Sequence, residues 1–178
     1  EIPITESIKA KKRLYYIVDN YFNFWFKFVY PNKSIIEEGY GNKVLNKIKE
    51  EFPLYFSQIF ERICKKIIIK KFDFSKVGKQ WGIIPREKKS YEIDIVALNE
   101  KTKEILFVEC KWQENVNAEK ILKELIEKTE YVNWYNDERK EYFAIFAKSF
   151  DKKIEEFEGK KVYCFDLNDI EKILNIRV

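Results

Sequence analysis

The chain has 178 residues, 46% hydrophobic and 17% aromatic, enough apolar mass for one domain with a full core. Its 34 basic and 30 acidic residues leave a net charge of +4, which by itself announces neither a nucleic-acid binder nor an acidic solvating tail. There is no histidine, so Ser-His-Asp triads, Cys-His pairs and histidine-ligated metals are excluded together.

Three cysteines, Cys64, Cys110 and Cys164, are odd in number and far apart, which argues against a disulfide framework and a cysteine zinc site. Carboxylate, lysine and metal remain as the means of chemistry. The longest apolar cluster, 22–30, is interrupted by Asn23 and Lys27, so no membrane span or signal peptide is expected and the protein reads as soluble and cytoplasmic. The chain starts at Glu1 and has no Met, which suggests a piece of something longer. No GxxxxGK[ST] loop is present, so no ATP site is expected here.

In chain order, residues 1–8 read as a connector with Pro3 and a capping pattern near Thr5. Residues 9–30 carry Leu14, Ile17, Val18, Tyr21, Phe22, Trp25, Phe28 and Val29 at helical spacing, and Pro31-Asn32 closes that helical segment. The run FNFWFKF reads as a core or interdomain face, with base stacking as the alternative. A helix over 33–51 is broken at Gly39 and Gly41, and another follows over 52–71 with Pro53 in its first turn. In that helix Glu61 stands four residues before Lys65, so a solvent-facing pair is one reading of it.

Residues 76–85 read as a first strand and a turn, and REKKS over 86–90 as a basic loop, solvated or touching a phosphate backbone. After the central hairpin, Asn117 caps a helix over 118–135, whose Lys120, Lys123 and Lys128 alternate with glutamates as an exposed charged face. A buried strand follows over 140–148, then a short helix over 151–157 ended by Gly159, a strand over 161–165, and a helix over 167–176 capped by Asn168 or Asp166. The order implies an α/β fold: a mixed central sheet flanked by helices, with an N-terminal helical extension.

The centre of the chain is YEIDIVALNEKTKEILFVECKW, residues 91–112. Two short apolar runs flank a polar link, 99–102, and read as a β-hairpin. Asp94, Glu109 and Lys111 lie inside these runs, where charge is costly unless paired or bound to metal. Alternation puts Glu109 and Lys111 on one face and Cys110 on the other. Pairing about the link sets Asp94 opposite or diagonal to Glu109, with Cβ atoms about 5 Å apart if they share a face. Two carboxylates so placed suit a hard divalent cation with Lys111 beside it; a salt-bridged cluster at the sheet end is the alternative.

Asp94 followed by Glu109-Cys110-Lys111 on the next strand resembles the D…ExK core of the PD-(D/E)XK, restriction-endonuclease-like superfamily. More widely, YYIVDNYFNFWFKFVYP, FERICKKI, EIDIVALN and ILFVECKW resemble the DUF234 family, the C-terminal domain of archaeal and bacterial P-loop ATPases. The resemblance implies an N-terminal segment over 1–50 joined to preceding winged-helix and ATPase parts, and a nuclease-like domain over 51–178. It implies Mg2+ or Mn2+ held by Asp94, Glu109, the Cys110 carbonyl and Glu61, with Lys111 at the reacting phosphate and nucleic acid, DNA foremost, as substrate. It equally allows a module that keeps the fold and serves DNA binding or regulation of the parent ATPase.

Overall fold

A computed structural model gives the fold and describes residues 1–175 except 8, 10, 12, 85, 86 and 88. Arg86 and Lys88 of the basic loop, and Ile176 at the expected end of the last helix, lie outside the described residues.

The fold is mixed α/β. Strands β1 (Lys76–Ile83), β2 (Ser90–Asn99) and β3 (Glu104–Lys111) form an antiparallel meander. Further on, β4 (Val116–Asn117) leads into α4 (Ala118–Thr129), and β5 (Lys140–Ala147) returns parallel to β3. Then come β6 (Phe150–Lys152), β7 (Glu156–Phe157) and β8 (Lys160–Phe165), the last parallel to β5. The six-stranded sheet runs β1-β2-β3-β5-β8-β7, and β4 pairs β6 in a separate two-stranded piece. A 31-residue helix, α3 (Gly41–Lys71), and the terminal α5 (Leu167–Leu174) cover one face, and α4 covers the other.

Strand alternation builds both cores at once. Leu106, Val108 and Cys110 of β3 pack with Phe60, Cys64 and Ile67 of α3, while Ile105 and Phe107 pack with Leu122 and Leu125 of α4. Burial on both faces explains why the central strands read as continuous apolar runs.

Caps expected from the sequence close the helices. Asn117 Oδ1 accepts from the Lys120 N–H at 2.8 Å. Asp166 and Asp169 form a reciprocal capping box on α5, making Asp166 the cap rather than Asn168. The helix α4 stops at Thr129 rather than running to Tyr135. Buried Arg139 donates to the carbonyls of Thr129, Val132 and Trp134, which takes the chain out of the helix and back toward β5.

Three expected helices differ. Residues 9–19 are not helical; helix begins only at α1 (Asn20–Phe24), where Asp19 accepts from the Phe22 N–H at 3.0 Å. Upstream, the Leu14 N–H donates to the Glu1 carbonyl at 2.9 Å and Arg62 holds the Val18 carbonyl at 2.8 Å, so distant partners replace helical ones; nearer the start the Ile4 N–H donates to the Lys79 carbonyl at 3.0 Å. Beyond α1 the chain continues through a π turn over Trp25–Val29 and a 3-10 turn over Tyr30–Asn32 into α2 (Lys33–Glu37); Pro31 sits in the linking turn and does not end the helical segment. After the break at Gly39, α3 runs unbroken, with Pro53 inside it and not in a first turn. The missing Pro53 donor disfavours this by about 3 kcal/mol in isolation; buried Val44, Tyr55 and Phe60 on either side hold the helix together.

Residues 151–157 are extended, not helical. Glu158 (φ 50°) and Gly159 (φ 74°) make the two-residue turn of the β7–β8 hairpin, so Gly159 turns a ribbon instead of ending a helix.

Of the aromatic run, Phe28 is buried against Phe24 and Tyr55, but Phe22, Phe26 and Tyr30 are exposed. Among the described residues, no helix is long and apolar enough to cross a membrane.

Candidate functional site

The β1–β2 register contains the local event that makes the site. Gly78 faces Val96 and Gln80 faces Ile93, so one residue of β1, Lys79, spans two of β2, Asp94 and Ile95. This is a β-bulge. The packing records it: Ile93 and Val96, three apart, both lie in the α4-side core, while Ile95 lies in the α3-side core. The extra residue turns Asp94 away from the ladder at the point where β2–β3 pairing, last seen at Ile95–Val108, ends.

Continuing that register sets Asp94 across from Glu109, as expected. Asp94 Oδ2 accepts the Cys110 N–H at 2.8 Å, so its carboxylate is bonded to the peptide unit that follows Glu109. Burial, with the charges of Glu109 and Glu61, pushes the Asp94 carboxyl up to about 7, against the downward pull of the Cys110 N–H and Lys79.

The neighbours of the two carboxylates differ. Asp94 lines a cavity of about 630 Å³ on the α3 side, shared with Glu61, Arg62, Lys79 and Glu92. Lys79 Nζ bridges Glu61 at 3.0 Å and Glu92 at 2.7 Å. Burial works against its charge, but Glu92 and Glu61 outweigh that and hold the ammonium above its ordinary range. Glu61 therefore pairs with a strand lysine and not with Lys65, which pairs with Glu1 at 3.7 Å.

Glu109 belongs to the α4 side. It is only 5% exposed and meets two ammonium groups, Lys111 at 2.7 Å and Lys128 of α4 at 3.0 and 3.2 Å. Burial disfavours the Lys111 charge, yet Glu109 and then Asp94 overcome it and raise its pKa. Lys128 is thus a half-buried partner of Glu109 and not part of an exposed charged face. Beyond the site, Trp112 packs on Phe56 and Phe60 at 4.5 and 5.1 Å, fixing the end of β3 against α3.

Burial, helped by Cys64, drives the Cys110 thiol well above its usual range, leaving its carbonyl oxygen as the group with metal affinity. The donor chemistry of Asp94, Glu109 and that carbonyl fits a hard divalent cation, and the Asp94 carboxyl is raised first by burial and then by the charges of Glu109 and Glu61. Among the described residues, however, no three Asp, Glu, Cys or His side chains are grouped so that they could hold a metal ion.

Sequence reasoning missed Lys79 and Lys128. Lys128 follows Ile121 and Leu125 at i+7 and i+3, on the apolar stripe of α4, and that spacing was the available signal. Lys79 is one cation within KVGKQWGI and carried no comparable signal.

Comparison with known proteins adds a family. The profile described as "Archaea bacterial proteins of unknown function", DUF234, matches residues 25–121, more than half of the chain. The chain belongs to the DUF234 family. The matched span of this DUF234 chain contains Glu61, Lys79, Asp94, Glu109 and Lys111, and it stops before Lys128. The uncharacterized protein MJECL04 of Methanocaldococcus jannaschii, an archaeon, is 36% identical over 178 residues, covering 95% of this chain and 37% of its own length. This DUF234 chain thus spans just over a third of the curated relative it matches.

Proposed function

We propose that this DUF234 chain is a metal-dependent phosphodiesterase module of the PD-(D/E)XK kind, acting on nucleic acid, DNA foremost. Asp94, Glu109 and the Cys110 carbonyl would hold Mg2+ or Mn2+, with Glu61 behind them. The observation that carries this reading is Asp94, displaced by a bulge, bonded to the Cys110 N–H, and carrying a carboxyl raised to about 7 by burial and two neighbouring carboxylates. A divalent cation relieves the repulsion among these carboxylates, which Lys79 does not offset. When bound, such an ion supplies an acidified water and neutralises charge on phosphate oxygens.

The chain's own residues do the rest. Lys111, held by Glu109 and kept protonated, is a donor and a fixed positive charge for a phosphate oxygen, not a proton acceptor. Lys128 steadies Glu109 until a competing cation arrives. The chain itself is read as the C-terminal module of a P-loop ATPase with a winged-helix part between. The resemblance, and the further length of the archaeal relative, support that reading.

A second reading has its own observation. Tyr21, Phe22, Phe26 and Tyr30 form an exposed aromatic row, which fits a non-enzymatic module docked on the parent ATPase. Thermal unfolding with added Mg2+ or Mn2+ separates the two. On the nuclease reading the ion raises the Tm of the parent chain and not of Asp94→Asn, and Lys111→Ala keeps that rise while losing plasmid nicking. No rise in either protein removes the metal site and leaves the docking role.

A further inference from the structure

The cavity beside Asp94 has one wall that the nuclease reading does not use. Residues 14–18, a strap without regular secondary structure, line it together with Gln58, Glu61 and Arg62 of α3. The strap is tied at both ends by polar contacts. At one end the Leu14 N–H donates to the Glu1 carbonyl at 2.9 Å. At the other end Arg62 Nη1 donates to the Val18 carbonyl at 2.8 Å. Its side chains gain little from this: Tyr15 is 86% exposed and Tyr16 52%. Among the described residues neither ring contacts another ring, although both line the cavity. Tyr16 lines the same cavity as Lys79, Glu61, Glu92 and Asp94.

Unstacked aromatic rings lining a polar cavity, beside cations, match the chemistry of bases and phosphates in an unpaired strand. About 630 Å³ lies within the roughly 300–1,000 Å³ that encloses one drug-sized ligand, the scale of a single nucleotide. A duplex, whose major groove alone is about 12 Å wide, is too broad for a cavity of this volume lined on one side by the strap. We infer that the strap makes the cavity a single-strand site: an unpaired nucleotide enters between residues 14–18 and α3, stacks on Tyr16 or Tyr15, and brings its phosphate toward Lys79 and Asp94. This deepens the nuclease reading and rests on it for the identity of the ligand.

The test is fluorescence anisotropy with a short labelled oligothymidylate and a blunt duplex of equal length, using the Asp94→Asn chain so that binding is read without cleavage. The single strand is expected to bind at least about tenfold more tightly than the duplex. Adding Tyr16→Ala should weaken the single strand on the order of tenfold and leave the duplex unchanged. Tyr15→Ala, altering a ring almost wholly in solvent, is the second variant and puts folding at no risk. An oligouridylate bound as well as the deoxy strand supports the site equally. Equal affinity for duplex and single strand, or indifference to both tyrosines, overturns the inference. The two readings fail separately: single-strand binding without nicking by the Mn2+-loaded parent chain removes only catalysis, and duplex nicking without single-strand preference removes only this site.

Discussion

The two carboxylates at the end of the β2–β3 ladder are treated in opposite ways by their neighbours. On the α4 side Glu109 is enclosed and balanced by two ammonium groups. On the α3 side Asp94 shares its surroundings with Glu61 and Glu92, and the nearest cation, Lys79, is already divided between those two. The first arrangement is balanced for as long as no other cation competes for Glu109; the second lacks such a balance, and the Asp94 proton is held to about pH 7. Burial alone does not mark a site for chemistry, since the more deeply buried of these groups is the one already satisfied.

The largest effect comes from erasing the imbalance. The unfolded chain releases the Asp94 proton near 3.8, whereas the native chain holds it to about 7. The native state therefore binds more protons across that window, and stability falls as pH rises through it, by on the order of 4 kcal/mol at most. Below the window no penalty exists, and above it the penalty is complete. Asp94→Asn removes this slope, so urea unfolding should show the variant more stable than the parent chain at pH 8 and little different at pH 4.

Breaking the balanced side should cost less. Lys128→Met removes one of two cations from a buried carboxylate and is expected to destabilise by about 2 kcal/mol. The urea midpoint should fall with its m-value unchanged. Smallest in stability, about 1 kcal/mol or less because Glu92 is exposed, is Lys79→Met. Its signature is electrostatic: with the cation gone, the Asp94 midpoint moves above about 7, which carboxyl-resolved NMR titration would follow. A midpoint that stays put would mean that Lys79 does not govern the α3 side.

Much of this was legible before coordinates. The hairpin, the strand over 140–147, the Asn117 cap and the mixed sheet all follow from short apolar runs between polar turns. The bulge was not, because residues 95–98 are apolar toward both cores and a parity break leaves no trace in such a run. The helix expected over 151–157 failed because its spacing fits either period, and Glu158-Gly159, a hairpin turn pair, decided it. The N-terminal helix failed because Glu1 and Arg62, distant in sequence, capture the backbone at Leu14 and Val18. At the site, Asp94, Glu109 and Lys111 were visible as charges inside apolar strands. Lys79 gains meaning only from its place opposite the bulge.

Gly78 has a consequence beyond the site. A Cβ there would meet Ile4 Cδ1, the tip of a side chain, at 2.9 Å, so glycine leaves room for Ile4 to lie close on β1, where its N–H donates to the Lys79 carbonyl. That bond takes up one place in the outermost hydrogen-bonding row of the sheet, the row on which a neighbouring molecule could template strand addition. A bulky replacement at Gly78 would press on Ile4 and weaken that cover of the sheet edge.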